Sequence, residues 1–123
     1  MNGISLLQED LTRRIIGAFY EVYTRMGGGF AEAVYEEALA RELEDGGLVV
    51  ERQSQIPVHY RGSPVGQFRV DIVVNETVLI EIKAREELHS VHRAQLLNYL
   101  RATSLEIGIL FNFGPKPQFK RLV

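Results

Sequence analysis

The stretch VLIEIKA, residues 78–84, places two charges inside an otherwise apolar run. Side chains alternate between the faces of a strand, so Val78, Ile80, Ile82 and Ala84 share one apolar face while Leu79, Glu81 and Lys83 share the other. A solvated surface pair is the plain account of Glu81 and Lys83. Upstream, QFRVDIVV repeats the pattern: Phe68, Val70, Ile72 and Val74 form an apolar set, and Asp71 falls on the other face with Gln67, Arg69 and Val73. A three-residue connection, Asn75 to Thr77, would pair Val74 with Val78, set Asp71 opposite Glu81 and set Arg69 opposite Lys83. A two-residue connection would mix the apolar and charged faces, so the pattern favours the longer one.

Carboxylates facing each other across a sheet repel, and such a pairing needs compensation. Mg²⁺ supplies it naturally, because this hard ion takes one or two carboxylates and completes its shell with water and phosphate oxygens. Lys83, on the face of Glu81, would then stand beside the water or phosphate.

Outward from this hairpin the texture is regular. Ser5 and Gln8 have capping-box spacing, and Leu11, Ile15, Ala18, Phe19, Val22, Tyr23 and Met26 recur at helical steps. Gly27-Gly28-Gly29 joins this helix to a second, AEAVYEEALARELED, which Gly46-Gly47 ends. Ile56, Val58 and Tyr60 alternate as a strand before the turn Arg61-Gly62-Ser63-Pro64. SVHRAQLLNYLRATS returns to helical spacing, with Val91, Ala94, Leu97, Leu100 and Ala102 available for burial. IGILF, residues 107–111, reads as a strand covered on both faces, and residues 118–123 as a short edge strand. The expected order is α-α-β-β-β-α-β-β, an α/β (α+β) fold with a mixed sheet flanked by helices.

At 123 residues, 46% of them hydrophobic, residues 1–123 are expected to form one domain. The absence of cysteine excludes thiolate metal sites, and the three histidines have no zinc spacing. A net charge of −2 and a pI near 5.9 argue against coating nucleic acid through bulk positive charge. No apolar stretch reaches membrane-spanning length and the start does not read as a signal peptide, so the expected location is cytoplasmic, with no membrane partner.

Two helices add polar residues to the hairpin. Glu32 begins a stripe continued by Tyr35, Leu39 and Leu43, so it is either turned inward at a helix N-terminus or simply a first-turn acid of the kind many helices carry. His92, Gln95 and Tyr99 share a face of the later helix, which is either the solvent side or a polar margin to the acidic site.

Asp71, nine intervening residues, Glu81, one residue and Lys83, followed by Gln95-Leu-Leu-Asn-Tyr99, resembles the PD-(D/E)XK nuclease superfamily and its Gln-x-x-x-Tyr branch. Gly29-Phe-Ala-Glu32-Ala-Val-Tyr35 is similar to the signature of the GxxExxY protein family, and the likeness continues through ERQ at 51–53, HYRG at 59–62, IEIKA, HRAQLLNYL and GILFNFG. Val70 stands where the superfamily motif has proline. The resemblance implies a restriction-endonuclease-like core. It implies Asp71, Glu81 and Glu32 as metal residues, Lys83 as the catalytic lysine, Gln95 and Tyr99 as auxiliary site residues, and Gln53 and His92 as site lining, to which Arg69, on the face of Asp71, is a further candidate. The expected activity is Mg²⁺- or Mn²⁺-dependent hydrolysis of phosphodiester bonds in nucleic acid, DNA before RNA, with a homodimer as a way to enlarge a small binding surface. The competing expectation is a nucleic-acid- or protein-binding module that keeps the fold without cleaving.

Overall fold

The computed structural model describes residues 6–123, so the capping box at Ser5 lies outside the described residues. Two helices, α1 (Leu6–Met26) and α2 (Glu32–Asp45), precede the strands β1 (Val50–Tyr60), β2 (Ser63–Val74) and β3 (Val78–Lys83); α3 (Ser90–Ala102), β4 (Ile107–Phe113) and β5 (Pro117–Leu122) follow. The strands form one five-stranded sheet in chain order, antiparallel throughout except for β3 beside β4. The order is the expected one. A parallel β3–β4 pair needs a crossover, and α3 provides it.

Both faces of the sheet are covered. On one side Ile15, Phe19 and Val22 of α1 and Tyr35, Leu39 and Leu43 of α2 bury against Ile72, Val74, Val78, Ile80, Ile82, Ile107, Ile109 and Phe111. On the other, Leu96 and Leu100 of α3 pack on Val70, Val73, Leu79 and Leu110. Leu96 takes the place expected of Val91 and Ala94, which are exposed at the start of α3. Every residue of β4 is buried, as a central strand with two covered faces requires. Among the described residues, no helix is long and apolar enough to cross a membrane.

The β2–β3 register is the expected one for three pairs, Val74↔Val78, Val73↔Leu79 and Ile72↔Ile80, and there it stops. Asp71 and Glu81 come next but are not ladder partners, and the expected pairing of Arg69 with Lys83 does not occur. The single apolar face expected of Phe68, Val70, Ile72 and Val74 is also divided. Ile72 and Val74 pack with α1 and α2, whereas Val70 and Phe68 pack with α3, and β1 divides likewise between Val50 and Ile56. The division coincides with Gln53, which sits at φ +52° between the pairs Arg52↔Ile72 and Ser54↔Val70. A left-handed residue breaks the two-residue alternation of a strand, so the outer half of the hairpin presents its faces the other way round.

Three loops close over one end of the sheet. A Cβ on Gly28 would lie 2.7 Å from the Gly114 carbonyl oxygen, and one on Gly114 would run into the Arg85 carbonyl oxygen, so both contacts depend on glycine. The Tyr23 hydroxyl donates to the Gly114 carbonyl at 2.6 Å, and buried Asn112 accepts from the Arg85 N–H at 2.9 Å while donating to its carbonyl at 2.9 Å. The chain after Lys83 is thereby fixed.

Candidate active site

Where the β2–β3 ladder ends, side chains replace it. Asp71 Oδ2 accepts the Ile82 N–H at 2.8 Å, and Glu81 Oε1 accepts the Asp71 N–H at 3.2 Å. Each carboxylate thus accepts a backbone N–H where β2 and β3 are no longer paired. Glu81 is only 7% exposed, so the solvated-pair account of the opening stretch fails for it. Burial raises the Glu81 carboxyl and the neighbouring Asp71 raises it further, to about 8. Asp71 is also raised, by burial first and then by Glu36, against the opposing bonds from Ile82 and Gln53. Burial leads both shifts, and neighbouring carboxylates add to them, Asp71 for Glu81 and Glu36 with Glu32 for Asp71.

Lys83 follows on the same strand, half-buried, and its charge favours ionised Glu81. Among the described residues its ammonium forms no salt bridge.

A third carboxylate reaches this cluster, but it comes from one turn beyond the expected position. Glu32 is the first residue of α2 and is exposed, although its field acts on Asp71, Glu81 and His92. The stripe Tyr35, Leu39, Leu43 is buried as expected, and Glu32 stands at its solvent end rather than turned inward. Glu36, four residues on, is the buried one at 7% exposure. Its Oε2 pairs with Arg52 Nη2 at 2.9 Å and its Oε1 accepts from Gln53 Nε2 at 2.5 Å. The same amide lies 3.5 Å from Asp71 Oδ1, so Gln53 bridges the two acids. Sequence reading missed Glu36; its signals were the four-residue step from Glu32 and the Arg52-Gln53 pair that supports it.

Tyr35 explains the spacing of Gly29, Glu32 and Tyr35. Its ring stacks on Phe113 with centroids 4.2 Å apart, and its hydroxyl donates to the Gly27 carbonyl at 2.5 Å while accepting from the Phe30 N–H at 3.2 Å. The tyrosine therefore ties down the glycine joint that carries Glu32.

From α3, half-buried Tyr99 stacks on Phe68 with centroids 4.0 Å apart. Burial raises its phenol, and the fields of Glu81 and Asp71 raise it further. The His92 Nδ1 accepts from the His89 N–H at 3.1 Å, leaving Nε2 to carry the proton of the neutral ring. Burial lowers His92, and Arg85, Lys83 and His89 lower it further. Gln95 is exposed, and Arg69 is exposed opposite Gln55 in the hairpin, away from Lys83.

Asp71, Glu81 and, farther out, Glu32 are hard oxygen donors of the type a divalent cation takes. Among the described residues no three acidic or histidine side chains converge as a closed cage. Two adjoining carboxylates held against their own repulsion still fit an ion such as Mg²⁺, which keeps much of its water and uses few protein ligands.

The fold has solved counterparts. The crystal structure of SSO0001 superposes with a TM-score of 0.60 at 21% identity, covering 73% of this chain, which spans only 48% of SSO0001. The alkaline exonuclease LHK-Exo of Laribacter hongkongensis superposes with a TM-score of 0.55 at 14% identity over 96% of this chain and 70% of its own. No curated protein matches the sequence. A family model of the PD-(D/E)XK nuclease superfamily matches residues 9–122, and the chain belongs to that superfamily.

Proposed function

We propose that the protein is a metal-dependent nuclease that hydrolyses phosphodiester bonds of DNA at the Asp71–Glu81–Lys83 site. The observation that carries this reading is the placement of half-buried Asp71 and buried Glu81 side by side at the end of a β-ladder, with Lys83 beside them. A structural acid pair would cost stability for no return, whereas a cation turns the same repulsion into binding energy. Membership of a nuclease superfamily and a fold shared with an alkaline exonuclease point the same way.

Asp71 and Glu81 would hold Mg²⁺ or Mn²⁺, with Glu32 reaching the ion through water. When bound, such an ion acidifies an attacking water and neutralises charge growing on the phosphate. Lys83 donates hydrogen bonds to the phosphate or to the attacking water, stabilising negative charge in the transition state. Gln53 holds Asp71 in place from behind, and Tyr99, Gln95 and His92 line the approach on the α3 side.

The test is cleavage of single- and double-stranded DNA and of RNA with Mg²⁺ or Mn²⁺, comparing the wild type with Asp71→Asn and Lys83→Ala. Asparagine keeps an acceptor for the Ile82 N–H, so the fold is spared while a ligand is lost. Each substitution should lower the rate by about a hundredfold or more. Cleavage that survives both would sink the reading.

A further inference from the structure

The β1–β2 hairpin outgrows the sheet. It is paired from Val50↔Val74 out to Tyr60↔Ser63, but β2 meets β3 only over Ile72–Val74. Beyond Val70 the two strands have mainly each other, apart from two contacts near the base, where Phe68 stacks on Tyr99 and half-buried Ile56 packs on the α3 side of the sheet. No residue from 55 to 69 is buried. An open two-stranded ribbon is marginally stable by itself, so this length of exposed strand has to be accounted for.

Its chemistry is one-sided. Between Gln53 and Val70 the chain has no aspartate or glutamate, but it has His59, Arg61 and Arg69, within a protein of net charge −2. The register Gln55↔Arg69, Pro57↔Gln67 and His59↔Pro64 puts Gln55, His59, Gln67 and Arg69 on one face, all of them exposed. At the tip, Arg61 (φ +51°) and Gly62 (φ +83°) make a two-residue turn, and the Arg61 guanidinium lies 5.3 Å from the centroid of the Tyr60 ring, itself 60% exposed. Amide, imidazole and guanidinium groups without a carboxylate are the groups that read base edges and hold phosphates.

Shape selects the partner. Residues 55–60 at about 3.3 Å each make an arm roughly 20 Å long. The B-DNA major groove, about 12 Å wide, admits a two-stranded ribbon, whereas the deep, narrow major groove of duplex RNA does not. The arm also springs from Gln53 and Asp71, so a duplex held along it is led to the acid pair.

We propose that the β1–β2 ribbon is the arm that holds duplex DNA, seated in the major groove with its Gln55–Arg69 face toward the base edges and Arg61 at a phosphate. The proposal rests on the nuclease reading for the delivery of DNA to Asp71, but the binding itself is separable from cleavage.

The experiment measures affinity for one sequence as duplex DNA, single-stranded DNA and duplex RNA, with a chelator present so that nothing is cut. Wild type is compared with the exposed double variant Arg61→Glu/Gln67→Glu, whose folding is checked by its melting temperature, and with Gln55→Glu/Arg61→Ala as a second form. Wild type should prefer duplex DNA. Each variant should bind it about tenfold or more weakly, with a salt dependence shallower by about one unit of log–log slope per lost phosphate contact. Equal affinity of wild type and variants overturns the proposal, as does equal binding of duplex RNA by the wild type. A variant that changes only the sedimentation of the protein also overturns it, making the ribbon a contact between copies of this chain. Hydrolysis of bis(p-nitrophenyl) phosphate by wild type with Mn²⁺ is followed alongside: its absence defeats the nuclease reading and leaves the ribbon result standing.

Discussion

Replacing Glu81 by glutamine should stabilise the metal-free protein, and by an amount that grows with pH. The Glu81 carboxyl rises from an ordinary 4.5 to about 8 because it is buried beside Asp71. Between those two values the native state holds a proton that the unfolded chain has released. Stability is therefore lost progressively as pH climbs through that window, and the loss is constant above it. At 1.36 kcal/mol per unit, the penalty is absent near pH 4, about 3 kcal/mol at pH 7 and about 5 kcal/mol near pH 9. That is a large part of the 5–15 kcal/mol that holds a typical domain together. Glutamine has the same shape, keeps an oxygen for the Asp71 N–H and carries no charge, so it removes the penalty without opening a cavity. Urea unfolding of both proteins in chelator from about pH 4 to about pH 9 gives the difference directly. A Glu81→Gln gain that stays flat across this range, within about 1 kcal/mol, would refute burial and repulsion as the cause. Added Mg²⁺ should reverse the ranking, since it stabilises only the form that binds it.

The supporting shell can be probed in the same way. Tyr35→Phe removes the bond to the Gly27 carbonyl and should cost about 1 kcal/mol in unfolding measurements, with cleavage falling further than stability because Glu32 is carried by the loosened joint. Arg52→Ala leaves buried Glu36 without its ion-pair partner; Arg52 is itself partly exposed, so about 1–2 kcal/mol of lost stability is expected, and the Arg52→Ala/Glu36→Gln double variant should recover most of it.

The register of β2 against β3 could be read in advance because Asp71, Glu81 and the Asn75–Thr77 connection all demanded an odd loop, and any slip would have turned apolar side chains outward. The reversal at Gln53 could not be read. Left-handed backbone at a glutamine has no marker in composition, unlike the Arg61-Gly62 turn, where glycine announces it. Glu32 and Glu36 show a second limit. Helical periodicity places both near the Tyr35–Leu39–Leu43 stripe, and only the partners Arg52 and Gln53, sixteen and seventeen residues on, decide which acid is buried. The stripe of α3 held at Leu97 and Leu100 but not at its start, for a related reason: with Val91 and Ala94 as available as Leu96, the choice lay with Leu79 and Leu110 on the sheet it covers.

The hydroxyl of Tyr23 and the carbonyl of Gly114 are 91 positions apart in the chain, and their bond ties the end of α1 to the loop after β4. Loop-closure entropy delays such a contact until the segments between have settled. The place where Gly28, Gly114 and Arg85 meet therefore depends on β4 lying beside β3. Loosening that meeting point frees the segment after Lys83, which Asn112 of β4 otherwise holds through both backbone groups of Arg85.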